Sequence, residues 1–180
     1  MHQLKKIALV IEKKMLGLKY VISEKWYIKS CMKYLRHLGV RLDGTPKFVA
    51  RDVKFDTTDP TLISIGEGSV VTSRVTILVH DYSIECGLVA IGREDPEFES
   101  RMLRPVTIGR NCFIGQQAFL KPGTEIGDNC IIGAAAVVSG KIPEGSIVVG
   151  NPGTVVAKTA EWAEKKAEAH QYVRGSKRRK

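Results

Sequence analysis

The sequence predicts a mainly β protein that folds as a parallel β-helix of hexapeptide repeats. Two regularities predict it: an aliphatic residue recurs every six positions, and glycine or another small residue follows it at fixed distances. The aliphatic positions are Ile108, Ile114, Leu120, Ile126, Ile132 and Val138. A six-residue period fits neither the period of a helix nor the simple alternation of an ordinary strand. It is the signature of short strands stacked in a parallel β-helix.

The repeat sets the geometry of the predicted coil. With three strands to a turn, one turn takes about 18 residues, and equivalent residues of successive turns stack about 4.8 Å apart. The aliphatic side chain points inward, a small residue fits near each corner, and glycine allows tight or left-handed backbone. Cys112 and Cys130 are 18 positions apart, so their side chains are expected to stack inside the coil.

Composition is consistent with one main domain of 180 residues whose interior is aliphatic, since 43% of the residues are hydrophobic and only 7% aromatic. The net charge of +9 calls for an acidic partner, such as nucleic acid, an anionic membrane surface or an acidic ligand. The four cysteines lack a CxxC spacing, which favours buried reduced thiols over disulfides. The sequence after Met1 lacks a signal-peptide cleavage site, and its apolar run at residues 7–11 is too short to cross a bilayer. We therefore expect a cytoplasmic protein.

Residues 1–44 are predicted to form a helical N-terminal segment that is apolar and rich in lysine. Ser23 is expected to cap a second helix and Gly39 to end it. One interpretation is a cap over the open end of the coil, where unpaired strand edges need cover. The other is a basic amphipathic segment that lies on an acidic membrane surface, and the sequence leaves both open. Residues 158–180 are expected to form a C-terminal helix and a basic tail.

Residues 45–157 are predicted to form the coil, with one interruption. The hexapeptide register fails after His80, because Asp81 stands where an inward residue is expected, and it is secure again from Ile108. Residues 81–104 are therefore interpreted as a charged loop that is extruded from the coil. A long charged loop inside a compact repeat indicates a functional site.

Three stretches carry a resemblance to a known family. Residues 77–83, residues 105–115, and residues 132–143 with the Gly-Asn-Pro of 150–152 resemble the hexapeptide-repeat acyltransferases, over roughly residues 60–158. The His-Asp-Tyr-Ser run before the loop is most similar to the bacterial capsular and exopolysaccharide O-acetyltransferases of the colanic-acid type. The resemblance implies a left-handed coil, an exception to the usual right-handed crossover, and a homotrimer with active sites between neighbouring subunits. It also implies acetyl-CoA as the donor and direct transfer without an acyl-enzyme.

His80 is the predicted catalytic base. A sugar hydroxyl must lose its proton to attack the donor, and histidine, with an ordinary pKa of about 6.5, suits that role. His80 is the one histidine that falls on the predicted coil, since the other three fall in predicted helices. Asp81, Glu85 or a backbone carbonyl is expected to orient its second ring nitrogen. The sequence does not choose among them, and we count Asp81 with the catalytic residues.

The resemblance implies further site residues. By analogy, the backbone N–H of Gln116 lies where the family holds the thioester carbonyl, so it is predicted to stabilise the oxyanion. Tyr82 and Glu85 are expected to contact the acceptor sugar. The residues expected to contact acetyl-CoA are Phe113, Gly115, Ala134, Ser139, Lys141, Asn151, Pro152 and Lys158. Lys141 and Lys158 replace cations that relatives carry at nearby positions, where this chain has Gly140 and Thr154.

Residues and resemblance together predict an acetyl-CoA-dependent O-acetyltransferase that modifies a sugar of a bacterial surface polysaccharide or its precursor. The expected partners are two further copies of the chain in a homotrimer, a sugar or polysaccharide acceptor that is lipid-linked in one interpretation, and an anionic membrane at its inner face. No metal is expected, since the related metal-dependent enzymes use several histidines on the coil. No nucleic acid is expected, since the positive charge lies mainly at the termini with few aromatics. The alternatives are an acetyltransferase of a soluble sugar or xenobiotic and a non-catalytic β-helix assembly subunit.

Overall fold

The computed structural model describes residues 2–174, so the last residues of the predicted basic tail lie outside the described residues. Within this range the helices are α1 His2–Ile22, α2 Glu24–Leu38, α3 Ser83–Ala90 and α4 Thr159–Glu168, with a 3-10 turn at Pro60–Leu62. The strands are β1 Arg41–Asp43, β2 Phe48–Val49, β3 Lys54–Phe55, β4 Ile63–Gly66, β5 Val70–Val71, β6 Thr76–Ile77, β7 His80–Asp81, β8 Met102–Leu103, β9 Val106–Ile108, β10 Phe113–Ile114, β11 Phe119–Leu120, β12 Glu125–Ile126, β13 Ile131–Ile132, β14 Val137–Val138, β15 Lys141–Ile142, β16 Ser146–Val149 and β17 Thr154–Lys158.

Most strands stack into three parallel sheets, one for each face of a three-sided coil. Sheet A is β1-β4-β9-β12-β15, sheet B is β2-β5-β10-β13-β16, and sheet C is β3-β6-β11-β14. The chain visits the sheets in the repeating order A, B, C, which is the path of a parallel β-helix and confirms the predicted architecture. β17 ends sheet B by pairing antiparallel with β16.

The register of the coil follows the sequence repeat. In the most regular turn, partner residues are 18 positions apart, as for Phe113 with Ile131, and in the last turn they are 16 apart, as for Ile131 with Ile147. Ile77 instead pairs with Leu120, 43 positions on, so this turn holds 25 residues more than the regular one. The extra residues leave the coil after β6 and return before β9, where the sequence predicts an extruded loop.

Aliphatic ladders fill the interior. The inward residues of sheet B, each at most 1% exposed, are Val49, Val71, Ile114, Ile132 and Val148. Burying each such side chain contributes about 1.5–3 kcal/mol relative to leaving it in water. At one corner Cys112 and Cys130 are buried free thiols on adjacent turns, as their spacing predicts.

Where a glycine follows an inward aliphatic residue, it serves close stacking rather than left-handed backbone. A Cβ at Gly109 would lie 2.7 Å from the carbonyl carbon of Gly127 and 2.8 Å from the nitrogen of Asp128 on the next turn. Several left-handed corner positions are held by other residues, such as Asn111 with φ of 51° and Asn129 with φ of 57°. The repeat therefore selects glycine at this position for lack of space.

Gly109→Ala is expected to lower the free energy of unfolding by about 1–3 kcal/mol, because backbone of the neighbouring turn must shift to admit the methyl group. Gly87→Ala in α3 is the matched control, since a Cβ there meets nothing within 4 Å. Alanine in place of a helical glycine is neutral or stabilises by up to about 1 kcal/mol. Urea unfolding of both variants measures the difference, and equal stabilities would contradict the close-stacking account.

The N-terminal helices cover the first turn of the coil. The hydroxyl of Tyr27 in α2 donates to the carbonyl of Val49 in β2 at 2.6 Å, and Leu35 is fully buried. As predicted, Ser23 caps α2 by accepting from the backbone of Trp26, and Gly39 ends the helix with φ of 113°. α1 packs mainly on α2, and its Gly17 also lies close to the Arg51 side chain of the coil. Among the described residues, no helix is long and apolar enough to span a membrane.

Two boundaries differ from the sequence expectation. β1 begins at Arg41 and pairs with β4, so the first strand of the coil lies inside the segment 1–44 that was expected to be helical. The loop also contains regular secondary structure, because its two ends pair as β7 and β8 and it includes α3. Val79, just before the loop, is fully buried, so the chain stays packed on the coil up to the start of the loop.

Candidate active site

His80 lies at the base of the inserted loop, on the corner of the coil that follows sheet C. We call this corner the C–A edge; it comprises residues 56–59, 78–80, 121–124 and 139–140 of successive turns. The backbone N–H of Leu78 donates to the carbonyl of Leu120 at 3.0 Å, so regular stacking continues to within two residues of His80. The His80 side chain is 26% exposed. The edge thus presents a partly exposed imidazole next to regularly stacked strands.

A buried carboxylate holds one side of that imidazole. Asp56 follows β3, which pairs with β6, so it lies on the same edge one turn before His80. Its Oδ2 is 2.5 Å from His80 Nδ1, and the Asp56 side chain is only 3% exposed. Thr58 Oγ1 is also 3.0 Å from the same nitrogen. Because the carboxylate accepts, Nδ1 carries the hydrogen and Nε2 is left as the basic nitrogen.

The backbone keeps the Asp56 carboxylate ionised. Burial alone would raise its pKa, but backbone N–H groups of Thr58 and Val79 and the side chains of Thr58 and His80 hydrogen-bond to it, and the net pKa lies below its ordinary value. The N–H of Val79 donates to Oδ2 at 2.8 Å and that of Thr58 to Oδ1 at 2.9 Å. The site therefore pairs a charged carboxylate with histidine, the arrangement that orients a general base.

Sequence reasoning missed Asp56. It lies outside the clean repeats, in a first turn that is four residues longer than the regular 18, since Phe55 pairs with Ile77 across 22 positions. A register count fixed at 18 does not bring Asp56 next to His80. The available signal was the polar Asp-Thr-Thr-Asp run of residues 56–59, which ends a strand on the edge where His80 lies.

The carboxylates that were expected to orient His80 are engaged elsewhere, which corrects that expectation. Asp81 accepts from the backbone N–H of Ser83 at 2.8 Å, and this hydrogen bond lowers the pKa of Asp81. It therefore supports the first turn of α3. Glu85 accepts from the backbone N–H of Ser100 at 2.7 Å and ties α3 to the returning arm of the loop.

Tyr82, expected from the sequence to contact the acceptor, lies beside the imidazole. Its ring packs edge-on to His80 with 5.3 Å between centroids and is 40% exposed. Arg101 Nη1 donates to the Tyr82 hydroxyl at 3.0 Å, and the guanidinium lies 5.9 Å from the ring centroid. Arg101, which the sequence did not single out, thus adds a positive charge and a donor next to Tyr82.

Four of the eight residues expected to contact acetyl-CoA, and the expected oxyanion donor Gln116, lie on a different edge, the corner between sheets B and C. We call it the B–C edge; it comprises residues 72–75, 115–118, 133–136 and 150–153 of successive turns. Its turns stack through backbone hydrogen bonds, such as Ala135 N–H to the carbonyl of Gln116 at 2.8 Å. The expected residues on this edge are Gly115, Gln116, Ala134, Asn151 and Pro152. Phe113, 45% exposed, lies next to them in β10.

The remaining expected contacts are not on that edge. Ser139 and Lys141 follow sheet C and share the C–A edge side of the coil with His80. Lys158 ends β17, opposite Ser146. All three side chains are exposed. The structure therefore groups the candidate pantetheine and thioester contacts on one edge and separates the candidate cations from them.

One subunit does not bring His80 and Gln116 together. The N–H of Gln117 donates to the carbonyl of Ser73 at 3.1 Å, which places Gln116 on the corner before sheet C, whereas His80 lies on the corner after it. A two-residue strand alone spans about 7 Å. That is more than the reach of about 3 Å from which a base and an oxyanion donor must act on one acetyl group.

The side-chain chemistry is that of acid–base catalysis. Among residues 2–174, apart from masked side chains at the N-terminus, no three His, Cys, Asp or Glu side chains are grouped so that they could hold a metal ion. The groups that are assembled are an imidazole, an ionised carboxylate, a phenol and a guanidinium. Such groups can move a proton to or from a hydroxyl and hold a polar ligand in place.

Comparison with known proteins gives the same picture. Residues 105–140 match the family described as bacterial transferase hexapeptide (six repeats). Protein CapG of Staphylococcus aureus is 30% identical over 140 residues, which cover 78% of each chain. The galactoside O-acetyltransferase of Escherichia coli K12 is 33% identical over 98 residues, 54% of this chain and 45% of that protein. This chain spans about half the length of several of the curated relatives that it matches.

A solved structure agrees at the level of the fold. The hexapeptide-repeat acetyltransferase of Vibrio cholerae O1 biovar eltor, complexed with acetyl coenzyme A, superposes with a TM-score of 0.57. The superposition covers 84% of this chain and 87% of that one at 18% identity. The repeat, the three-sheet coil and the match to CapG across most of its length agree. The chain belongs to the hexapeptide-repeat family of bacterial transferases.

Proposed function

We propose that the protein transfers an acetyl group from acetyl-CoA to a hydroxyl group of a sugar. The observation that carries the proposal is the contact between His80 Nδ1 and the buried Asp56 carboxylate at 2.5 Å. This contact supports His80 as the base, at the mouth of the only long insertion in the described coil. Relatives support the donor and acceptor classes, since one is named a galactoside O-acetyltransferase and a similar structure contains acetyl coenzyme A.

In the proposed reaction the base acts through Nε2. The sugar hydroxyl gives its proton to His80 Nε2 as its oxygen forms a bond to the acetyl carbon. The imidazolium that forms is stabilised by the Asp56 carboxylate. When the tetrahedral intermediate collapses, the carbon–sulfur bond breaks and the proton passes from His80 to the departing CoA thiolate. No acyl-enzyme is formed, and the products are the sugar ester and CoA.

The donor is proposed to lie along the B–C edge. The exposed backbone there offers N–H groups to a thioester carbonyl at Gln116 and to the pantetheine arm at Ala134. Phe113 supplies exposed apolar surface next to them. A donor N–H that meets the oxyanion is worth about 3 kcal/mol of transition-state stabilisation.

The separation of the two edges supports a site shared between subunits. If His80 and Gln116 act on one acetyl group, they must come from different copies of the chain. We therefore propose a homotrimer of left-handed coils, as the family resemblance implies, in which the C–A edge of one subunit faces the B–C edge of its neighbour. A closed ring of copies forms naturally from such a head-to-tail contact.

The acceptor is proposed to be a sugar of a bacterial surface polysaccharide or its precursor. Tyr82 and Arg101 border the base and can stack on and hydrogen-bond to a sugar. The support for this acceptor class is the sequence resemblance of the His-Asp-Tyr-Ser run. Buried free thiols at Cys31, Cys112 and Cys130 are in keeping with a reducing cytoplasm as the place of reaction.

Release of CoA from acetyl-CoA over a panel of capsular oligosaccharides, simple sugars and hydroxylated xenobiotics tests the proposal. We expect release that depends on an oligosaccharide acceptor. Release with simple sugars or xenobiotics alone would instead favour the soluble-acceptor alternative. If no acceptor gives release and acetyl-CoA does not raise the melting temperature, the protein is a non-catalytic assembly subunit.

Gln116→Pro is expected to lower kcat by about 10²- to 10³-fold, because it removes the proposed oxyanion donor. The turn should accept proline. Gln116 precedes Gln117, whose φ is 63°, and the turn in the next repeat has Pro122 before Gly123, whose φ is 82°. Both turns close with an N–H to carbonyl bond three residues back at 3.2 Å. Unchanged kcat in a correctly folded variant would remove the Gln116 N–H from the mechanism.

Mixing the inactive variants His80→Ala and Gln116→Pro tests the shared site. Mixed trimers contain interfaces with an intact His80 facing an intact Gln116, so refolding the two variants together should restore part of the activity. Refolding each alone is the control. No recovery in demonstrably mixed trimers would contradict a site built from two subunits.

A further inference from the structure

α1 buries one face and leaves an apolar stripe on the other. On the inner face Leu16 is 2% exposed, and Glu12 contacts His37 of α2 at 3.0 Å. Each residue of a helix turns by about 100°, so a second set of α1 side chains, centred about 140° around the helix from Leu16, lies on its exposed side. This set, which we call the outer stripe, consists of Leu4, Ile7, Ile11, Met15, Leu18 and Ile22. These side chains are 41–72% exposed.

The outer stripe is not needed to close the coil. α2 already covers the first turn, and α1 makes most of its contacts with α2 through the face that carries Leu16. The stripe runs for about 27 Å along the helix. An unbroken apolar surface of this kind marks an interaction site, since a soluble monomer rarely exposes one.

The charges around the stripe are positive. α1 contains five lysines and one acidic residue, Glu12, which is turned towards His37. Lys14 and Lys19 flank the stripe on opposite sides, about 60° and 80° around the helix from its middle. Lysines beside an apolar face can keep their ammonium groups at phosphate headgroups while their methylene stems follow the apolar surface.

We propose that the outer stripe of α1 binds the surface of an anionic lipid bilayer. The helix lies in the plane of the membrane, with Ile11 and Leu18 between the acyl chains and Lys14 and Lys19 at the headgroups. The proposal concerns where the protein is held and does not depend on the acetyl-transfer proposal.

The charge pattern favours lipid over a second copy of the chain. Two stripes packed face to face would bring Lys14 and Lys19 of both helices around one desolvated seam. The one acidic side chain of α1, Glu12, is engaged by His37 of α2, and the stripe itself contains no carboxylate. Like charges at such a seam oppose association, whereas anionic headgroups neutralise them.

Co-sedimentation of the full chain with vesicles tests the proposal. Vesicles of phosphatidylcholine alone are compared with vesicles in which one third is phosphatidylglycerol. We expect binding to the anionic vesicles, and Ile11→Glu with Leu18→Glu should weaken it more than about tenfold. The control is Trp162→Glu with Val173→Glu, which makes the same charge change at exposed apolar positions and should leave binding near wild type.

A second variant tests the proposal in case the two glutamate substitutions disturb the fold of α1. Lys14→Gln with Lys19→Gln retains the apolar stripe and should weaken binding to the anionic vesicles by about tenfold. A chain that lacks residues 175–180 should bind like the full chain. The proposal is overturned if the full chain does not bind anionic vesicles, if the glutamate variant binds as well as wild type, or if removing residues 175–180 abolishes binding. A glutamate variant that lowers the molar mass in light scattering, without vesicle binding by the wild type, would assign the stripe to a second copy.

Discussion

His80→Ala is expected to lower kcat for acetyl transfer by about 10²- to 10⁴-fold, the usual contribution of a positioned general base. Alanine leaves the sugar hydroxyl with no group to take its proton. The proposed donor site lies on the other edge of the coil, so protection by acetyl-CoA in thermal melting should survive. Steady-state kinetics with the best acceptor measures the loss.

His170→Ala is the matched control, because His170 is exposed just after α4 and its ring contacts the carbonyl of Glu168 rather than a carboxylate. It should keep full activity. If His80→Ala retained kcat within about threefold of wild type while binding acetyl-CoA normally, His80 would not be the base.

Asp56→Asn is expected to lower kcat by about 10³- to 10⁴-fold, with little change in KM for acetyl-CoA. An asparagine amide facing His80 Nδ1 would donate rather than accept, which favours the tautomer with hydrogen on Nε2. The nitrogen that faces the acceptor would then no longer be basic. Kinetics of the variant, with its pH profile, measures the effect.

Asp81→Asn tests whether Asp81, as the sequence suggested, orients His80 in place of Asp56. Asp81 supports the start of α3 through Ser83, so its loss should change kcat by less than about tenfold. A large loss in Asp81→Asn together with normal activity in Asp56→Asn would reverse the assignment of the two carboxylates.

Asp56→Asn is also expected to change how the free energy of unfolding depends on pH. Hydrogen bonds lower the folded-state pKa of Asp56, so its contribution to stability is complete above an unfolded-state pKa of about 3.9 and is lost as the pH falls through the folded value. Asp56→Asn should be destabilised by about 1–3 kcal/mol near neutral pH. The difference from wild type should shrink below about pH 4. A difference that grows in acid would contradict an ionised Asp56.

Those parts of the fold that depend on a strict period were predictable. The six-residue register at 108–138 identified the three-sheet coil, the stacked Cys112 and Cys130, and the loss of register after His80. The position of the loop followed from the same count, and the structure has 25 extra residues in that turn. Local rules sufficed for Ser23 and Gly39, where capping depends on neighbours in sequence.

The partner of the base was not predictable in the same way. Asp56 meets His80 across a first turn of irregular length, and a six-residue count gives no information about where that turn is lengthened. Asp81 and Glu85 were nearer in sequence, but the loop uses them for its own backbone hydrogen bonds. The apolar residues of α1 were visible in the sequence. Tertiary packing decides which of them α2 covers, so the sequence did not show which stay exposed.

The most direct test of the proposed activity is the mass of the acceptor itself. An oligosaccharide that supports CoA release is incubated with acetyl-CoA and either wild type or His80→Ala, and both sugar and protein are analysed by mass spectrometry. The proposal predicts one added acetyl unit on the sugar with wild type, little with the variant, and no acetyl group on the protein. Acetylated protein that passes its acetyl group to the sugar, or acetylated sugar formed equally by His80→Ala, would contradict direct transfer by the His80–Asp56 pair.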